Sequence, residues 1–209
     1  MDRILICFAA LICFSGRLQA ESPDAVLERF VGAVASSAVD FGYSYLIDDG
    51  RARVKGEGTV AMQGESYLIS GDGLEVYCDG KTRWTVDRAA MEVVVETCDP
   101  ENPDYTVNPA VLLKDFDKAF SVESSGVSSD GSLHYSLSPV SAPGMSSLEI
   151  VLSGDGKKLL SAVMHTEDGA AASFSISSFV FSTPSDPSRF AFDISSLADG
   201  YIVTDLTVS

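Results

Sequence analysis

Four cysteines, two histidines and a surplus of carboxylates are the side chains of this 209-residue chain that could do chemistry. Cys78 and Cys98 are close enough in sequence to suggest a disulfide in an oxidising compartment. Two cysteines with no histidine near them do not complete a zinc site. His134 and His165 each fall in a strand-like run with no nucleophile motif beside them, and no Gly-x-Ser-x-Gly elbow occurs. Asp79 stands before Gly80, where Asp-Gly is ordinary turn chemistry. A lone histidine is most often structural, so the residues point away from catalysis, and toward neither a cofactor nor a metal.

The elements that would hold the cysteines are read between Gly73 and Thr97. Three short β-branched or aromatic runs are joined there by Asp79-Gly80-Lys81 and Asp87-Arg88-Ala89-Ala90, which predicts a three-strand meander. Thr82, Trp84 and Val86 share one face of the middle run, and Met91, Val93 and Val95 one face of the third. That face carries the only tryptophan and must be covered by more sheet, a helix or a ligand. In such a meander Cys78 and Cys98 end strands roughly 9 to 10 Å apart. A disulfide wants its Cα atoms about 5 to 6 Å apart, so the strand ends would have to pinch together, and both the bonded and the free state stay open.

Residues 1–20 read as a secretory signal peptide: Arg3, an apolar run from Ile4 to Phe14, and Leu18-Gln19-Ala20 before Glu21. Cys7 and Cys13 would leave with it. With 14 basic against 30 acidic residues the net charge is −16, and no Lys/Arg cluster exists, which argues against nucleic acid or an anionic lipid surface as partner. The remainder, 21–209, suits one domain.

Residues 22–36 predict an amphipathic helix capped by Ser22, with Pro23 in the first turn and Val26, Leu27, Phe30, Val31 and Val34 along one side. From Phe41 the period becomes two. Strands are expected at Phe41–Tyr45, 52–55, 59–63, 67–69, 133–137, 148–152, 159–165 and 172–181, punctuated by Gly and Asp turns. Asn108-Pro109 opens a second predicted helix reaching about Phe120. Phe190, Phe192 and Ile194 make 189–194 a further strand candidate, with a last one at 201–204.

Asp79-Gly80-Lys81-Thr82-x-Trp84 followed by Glu92-Val93 resembles the LolA-type periplasmic carriers of outer-membrane lipoproteins. The similarity continues in order through Gly56-x-Gly58, Asn108-Pro109 before Leu112-Leu113, Gly154-Asp155-Gly156 with Ser161-Ala162-Val163, and Asp186-Pro187-Ser188-Arg189-Phe190-x-Phe192. The resemblance implies an α+β fold: an open, strongly curved antiparallel sheet, or incomplete barrel, closed by a helical lid over an acyl-chain cavity. It implies a periplasmic chaperone that carries lipoproteins from inner to outer membrane as a monomer. Its partners would be lipoprotein acyl chains, an inner-membrane lipoprotein-releasing ABC transporter and an outer-membrane acceptor. The alternative is a LolA-like lipid-binding or envelope-stress-sensing protein not dedicated to transfer. The implied lipid-binding residues are Tyr43, Tyr45, Met62, Tyr67, Trp84, Val86, Val93, Val95, Leu112, Leu113 and Phe116. One departure is that Gln63-Gly64-Glu65 lacks the arginine with which well-studied members are thought to latch the lid.

Overall fold

The computed structural model describes residues 21–98 and 116–207. The expected signal peptide and the Asn108-Pro109 helix start lie outside the described residues. Helix α1 (Pro23–Ser36) begins where the sequence places it, with the Ser22 hydroxyl accepting from the Ala25 N–H at 3.3 Å. Val26, Leu27, Phe30 and Val34 are buried at helical spacing. Val31 is only partly buried.

The strands are β1 (Ala38–Asp48), β2 (Arg53–Gln63), β3 (Ser66–Gly71), β4 (Leu74–Cys78), β5 (Thr82–Asp87) and β6 (Glu92–Thr97). After the short helix α2 (Phe116–Ala119) come β7 (Phe120–Val127), β8 (Leu133–Pro139), β9 (Met145–Leu152), β10 (Leu159–Thr166), β11 (Ala171–Ser182) and β12 (Ile202–Asp205). They form one 12-stranded sheet in the order β12-β6-β5-β4-β3-β2-β1-β11-β10-β9-β8-β7. All neighbours are antiparallel except β12 and β6, which run parallel because the chain crosses the sheet before joining the far edge. The two end strands do not pair, so the sheet is open and curved as expected. The described helix α1 packs on one face.

Several elements differ from the sequence reading. The runs 52–55 and 59–63 are one strand, β2. Gly56 and Gly58 do not break it, because the Tyr45 and Tyr43 rings lie across them. A Cβ on Gly56 would fall 2.6 Å from the Tyr45 hydroxyl, and one on Gly58 2.8 Å from that of Tyr43. Aromatic rings laid over strand glycines restore the packing that the missing side chain forfeits. The second helix does not include Phe120, which begins β7, a strand the sequence left unassigned. The candidate strand at 189–194 is instead two 3-10 turns, Pro187–Phe190 and Ile194–Ser196. Asp186 and Asp193 accept from the N–H groups of Ser188 and Ser195 and set those turns, overriding the alternation of aromatic residues.

Pairing register assigns every strand residue to a face, because directly opposed residues project to the same side. Val39, Met62, Tyr67, Cys78, Arg83 and Glu96 are in line across β1 to β6 and face helix α1's side. From β11 to β8 the same side carries Phe179, Phe174, Ala162, Ile150 and Tyr135. The apolar side chains of this face and α1 form the main core. The opposite, outer face of β4 to β6 carries Tyr77, Trp84, Val86, Val93 and Val95, covered by Phe192, Leu197 and Tyr201 of the C-terminal segment as a second cluster.

Candidate functional site

The residues expected to line one cavity separate onto two faces. Tyr43, Tyr45, Met62 and Tyr67 lie on the helix side. Trp84, Val86, Val93 and Val95 lie on the outer face, where the rings of Tyr77 and Phe192 stand 5.1 Å apart. The register that pairs Tyr77 with Trp84 and Cys78 with Arg83 leaves no way to bring both sets to one side. Leu112 and Leu113 lie outside the described residues. Phe116 is the first residue of α2, and its side chain is outside the described ones too.

On the helix side the floor runs from a packed aromatic core to a partly open apron. Phe30 contacts Phe179 and Phe181 at ring separations of 5.7 and 6.1 Å, and Phe41 stacks on Phe179 at 5.6 Å. Tyr43 follows at 6.3 Å from Phe41, and Tyr43, Tyr45 and Phe174 close a triangle at 6.1 to 6.5 Å. The Tyr45 hydroxyl donates to Asp72 at 2.7 Å, which keeps its ring flat on the sheet. Met62 and Tyr67 are buried in the core at the inner end. Ile69 and Val76, opposite one another in β3 and β4, and Ile176 in β11 complete the apron; all three are partly buried against the core. Sequence reasoning did not assign these three. The signal was present, since Ile69 is two residues from Tyr67 and Ile176 two from Phe174, on the same face of their strands.

One edge of this face is polar. The Arg83 guanidinium donates to Glu96 at 2.7 Å with both side chains about one-third exposed. Beside it, the sulfur atoms of Cys78 and Cys98 are 2.9 Å apart. The Cys78 thiol is held down to about 7, first by the hydrogen bond from Cys98 and against the effect of burial, with the Gly80 N–H contributing. Cys98 is pushed up, first by its hydrogen bond to Cys78 and then by burial. Burial and then the neighbouring Cys78 raise Tyr67 as well.

Gln63, which stands where the family arginine was sought, holds the C-terminal segment instead. Its amide donates to the Ser185 carbonyl at 3.0 Å and accepts from the Ser185 N–H at 2.8 Å. Arg189 then pairs with Asp40 at 2.9 Å, on the outer face. These contacts start the segment on the path that brings Phe192 onto Tyr77 and over the outer-face cluster. An open groove of about 590 Å³ nearby is lined by Ser44, Leu46, Lys55, Glu57, Ser173 and Ser175 together with Tyr45, Gly56 and Asp72. The first six belong to the outer face, and the groove meets the apron only at Tyr45, which pairs with Gly56 and bonds Asp72.

His134 has a neighbour that the sequence did not show. Its Nε2 is 3.1 Å from the Ser132 hydroxyl, which donates to Asp130 at 2.7 Å. The serine proton is thus directed to a carboxylate in a turn rather than to an imidazole base. Among the described residues, no group of three or more His, Cys, Asp or Glu side chains could hold a metal ion. No helix among them is long and apolar enough to cross a membrane.

An unclosed antiparallel sheet with a helix across its apolar side is now established. The arrangement agrees with the open-sheet fold class expected from the resemblance. No family model matches the chain, and no curated protein matches it. An uncharacterised conserved protein from Thermus thermophilus shares the fold at 11% identity and a TM-score of 0.54, over 88% of this chain and 99% of that one. A LolA superfamily protein from Nitrosomonas europaea matches at 9% identity and a TM-score of 0.46, over 83% and 99% of the two chains. A putative outer membrane lipoprotein-sorting protein domain from Vibrio parahaemolyticus matches at 8% identity and a TM-score of 0.45, over 79% and 94%.

Proposed function

We propose that this chain is a periplasmic carrier that binds the acyl chains of lipoproteins on the helix side of its LolA-like sheet and moves them from inner to outer membrane. It would receive its cargo from a lipoprotein-releasing ABC transporter and deliver it to an outer-membrane acceptor. The observation that carries this reading is the apolar, partly buried apron of Tyr43, Ile69, Val76, Phe174 and Ile176 packed against the core, extended by Tyr45 through its contacts with Tyr43 and Phe174. Covering such a surface with hydrocarbon is worth roughly 0.8 kcal/mol per buried methylene. Eight methylenes would supply roughly 6 kcal/mol on that basis, enough to hold a fatty chain out of water. The net charge of −16 disfavours adhesion to anionic membranes while cargo is in transit.

The test is titration with a neutral fluorescent apolar probe and its displacement by a diacylated peptide. Wild type is expected to bind saturably. Ile69→Glu places a carboxylate in the apron and is expected to weaken binding at least about tenfold. Leu46→Glu, at an exposed position on the outer face, should bind like wild type. Absence of saturable binding by the wild-type protein would falsify the reading.

Trp84 supplies an independent readout. Because it is partly buried against the Val86, Val93 and Val95 cluster on the outer face, its emission is expected to stay unchanged when the apron fills. A shift in its emission maximum on adding the diacylated peptide would place the guest beneath the C-terminal segment instead.

A further inference from the structure

We propose that Cys78 and Cys98 are a disulfide-forming pair, joined by exchange with an external disulfide. The inference does not depend on the carrier reading. Two features of the fold bring together sulfurs that lie two strands apart. Cys78 is opposite Arg83 in the β4–β5 ladder, whereas Cys98 lies one residue past β6 with its N–H bonded to the Lys81 carbonyl at 2.8 Å. Cys98 is therefore level with the β4–β5 turn and not with a strand. Asp79 tightens that turn, accepting from the N–H groups of Lys81 and Thr82 at 2.9 and 2.8 Å. Gly80 occupies it at a φ of 93°, a conformation that suits a residue without Cβ. The Gly80 N–H points to the Cys78 sulfur at 3.4 Å. Both cysteines project to the helix side, so their sulfurs meet across a turn carrying no bulky side chain at its glycine, and come to 2.9 Å.

Exposure orders the chemistry. Cys98 is partly exposed while Cys78 is 2% exposed, so an outside disulfide RSSR reaches Cys98 first. Cys98 passes its proton to the Cys78 sulfur 2.9 Å away as it attacks one sulfur of RSSR, forming a mixed disulfide and releasing RS⁻, which takes that proton from Cys78 and leaves as RSH. The Cys78 thiolate, with the Gly80 N–H donating to it, then attacks the Cys98 sulfur and displaces the second RSH. The protein is oxidised by two electrons and loses two protons, and RSSR is reduced to two RSH, so the exchange balances. The bond closes a loop across 20 residues and ties the end of β4 to the end of β6.

The experiment uses the full chain, reduced and then incubated with glutathione disulfide, quenched in acid, alkylated and digested with trypsin. The tryptic peptides 56–81 and 89–114 each contain one of the two cysteines. They are expected to run as one covalent species that separates on reduction. The thermal midpoint should be about 5 to 10 °C higher for the oxidised than for the reduced protein. A Cys78→Ser, Cys98→Ser double variant that keeps the wild-type circular dichroism should lose that difference. Recovery of both cysteines alkylated from folded, oxidant-treated protein overturns the proposal. So does their recovery as separate glutathione adducts, or a bond from either of them to Cys7 or Cys13.

Discussion

Replacing Phe30 with alanine is expected to cost about 3 to 5 kcal/mol of folding stability, the range for removing a fully buried aromatic ring from a packed core. Phe30 is 2% exposed. It is the side chain by which α1 reaches the sheet, touching Phe179 and Phe181 on β11. The loss should appear in urea unfolding as a lower midpoint with an unchanged slope. Because the Phe179 contact continues through Phe41 to Tyr43, the same variant should also loosen the inner end of the apron and broaden probe binding. A loss below about 1 kcal/mol, the scale of an ordinary surface change, would show that α1 does not anchor the core.

Gly156→Val is expected to be comparably severe for a different reason. Gly156 has a φ of 64°, and a Cβ there would lie 2.2 Å from Cγ1 of Val26 on α1 and 3.2 Å from the Arg29 guanidinium. A left-handed backbone costs an L-residue roughly 1 to 2 kcal/mol, and displacing α1 from the sheet adds the loss of buried contacts. A total above about 3 kcal/mol is expected on these grounds, with rapid hydrogen exchange along α1. Gly169→Val separates the two causes, since Gly169 also has a positive φ, 89°, but nothing lies within 4 Å of its Cβ position. That variant should show only the backbone cost. Equal losses at the two glycines would mean that the approach of α1 to the β9–β10 turn contributes nothing.

Much of the local structure was legible because it is local. Ser22 and Pro23 mark the start of α1 through groups within one turn of the chain. The turns at Asp79-Gly80 and Asp155-Gly156 close through carboxylates that accept from N–H groups two or three residues on. The period of two located most strands, including the last at Ile202–Asp205. It failed at Phe190, Phe192 and Ile194, where Asp-capped turns replaced extended chain, and at β7, whose Ser-rich, largely exposed residues offer no apolar alternation.

The amino-acid order determined which residues alternate, where the chain turns and which helix is amphipathic, because each depends on neighbours a few bonds away. It also carried the motifs that resemble the LolA-type carriers. Tertiary structure alone decided which apolar face of β4 to β6 looks toward α1, because period two separates Trp84 from Thr85 without saying which side is inside. That choice followed from the return of the C-terminal segment across the outer face, where Gln63 holds it and Phe192 lands on Tyr77. The meeting of Cys78 and Cys98 has the same origin. Strand spacing predicts a gap, and only the placement of Cys98 beside a turn, one residue past its strand, removes it.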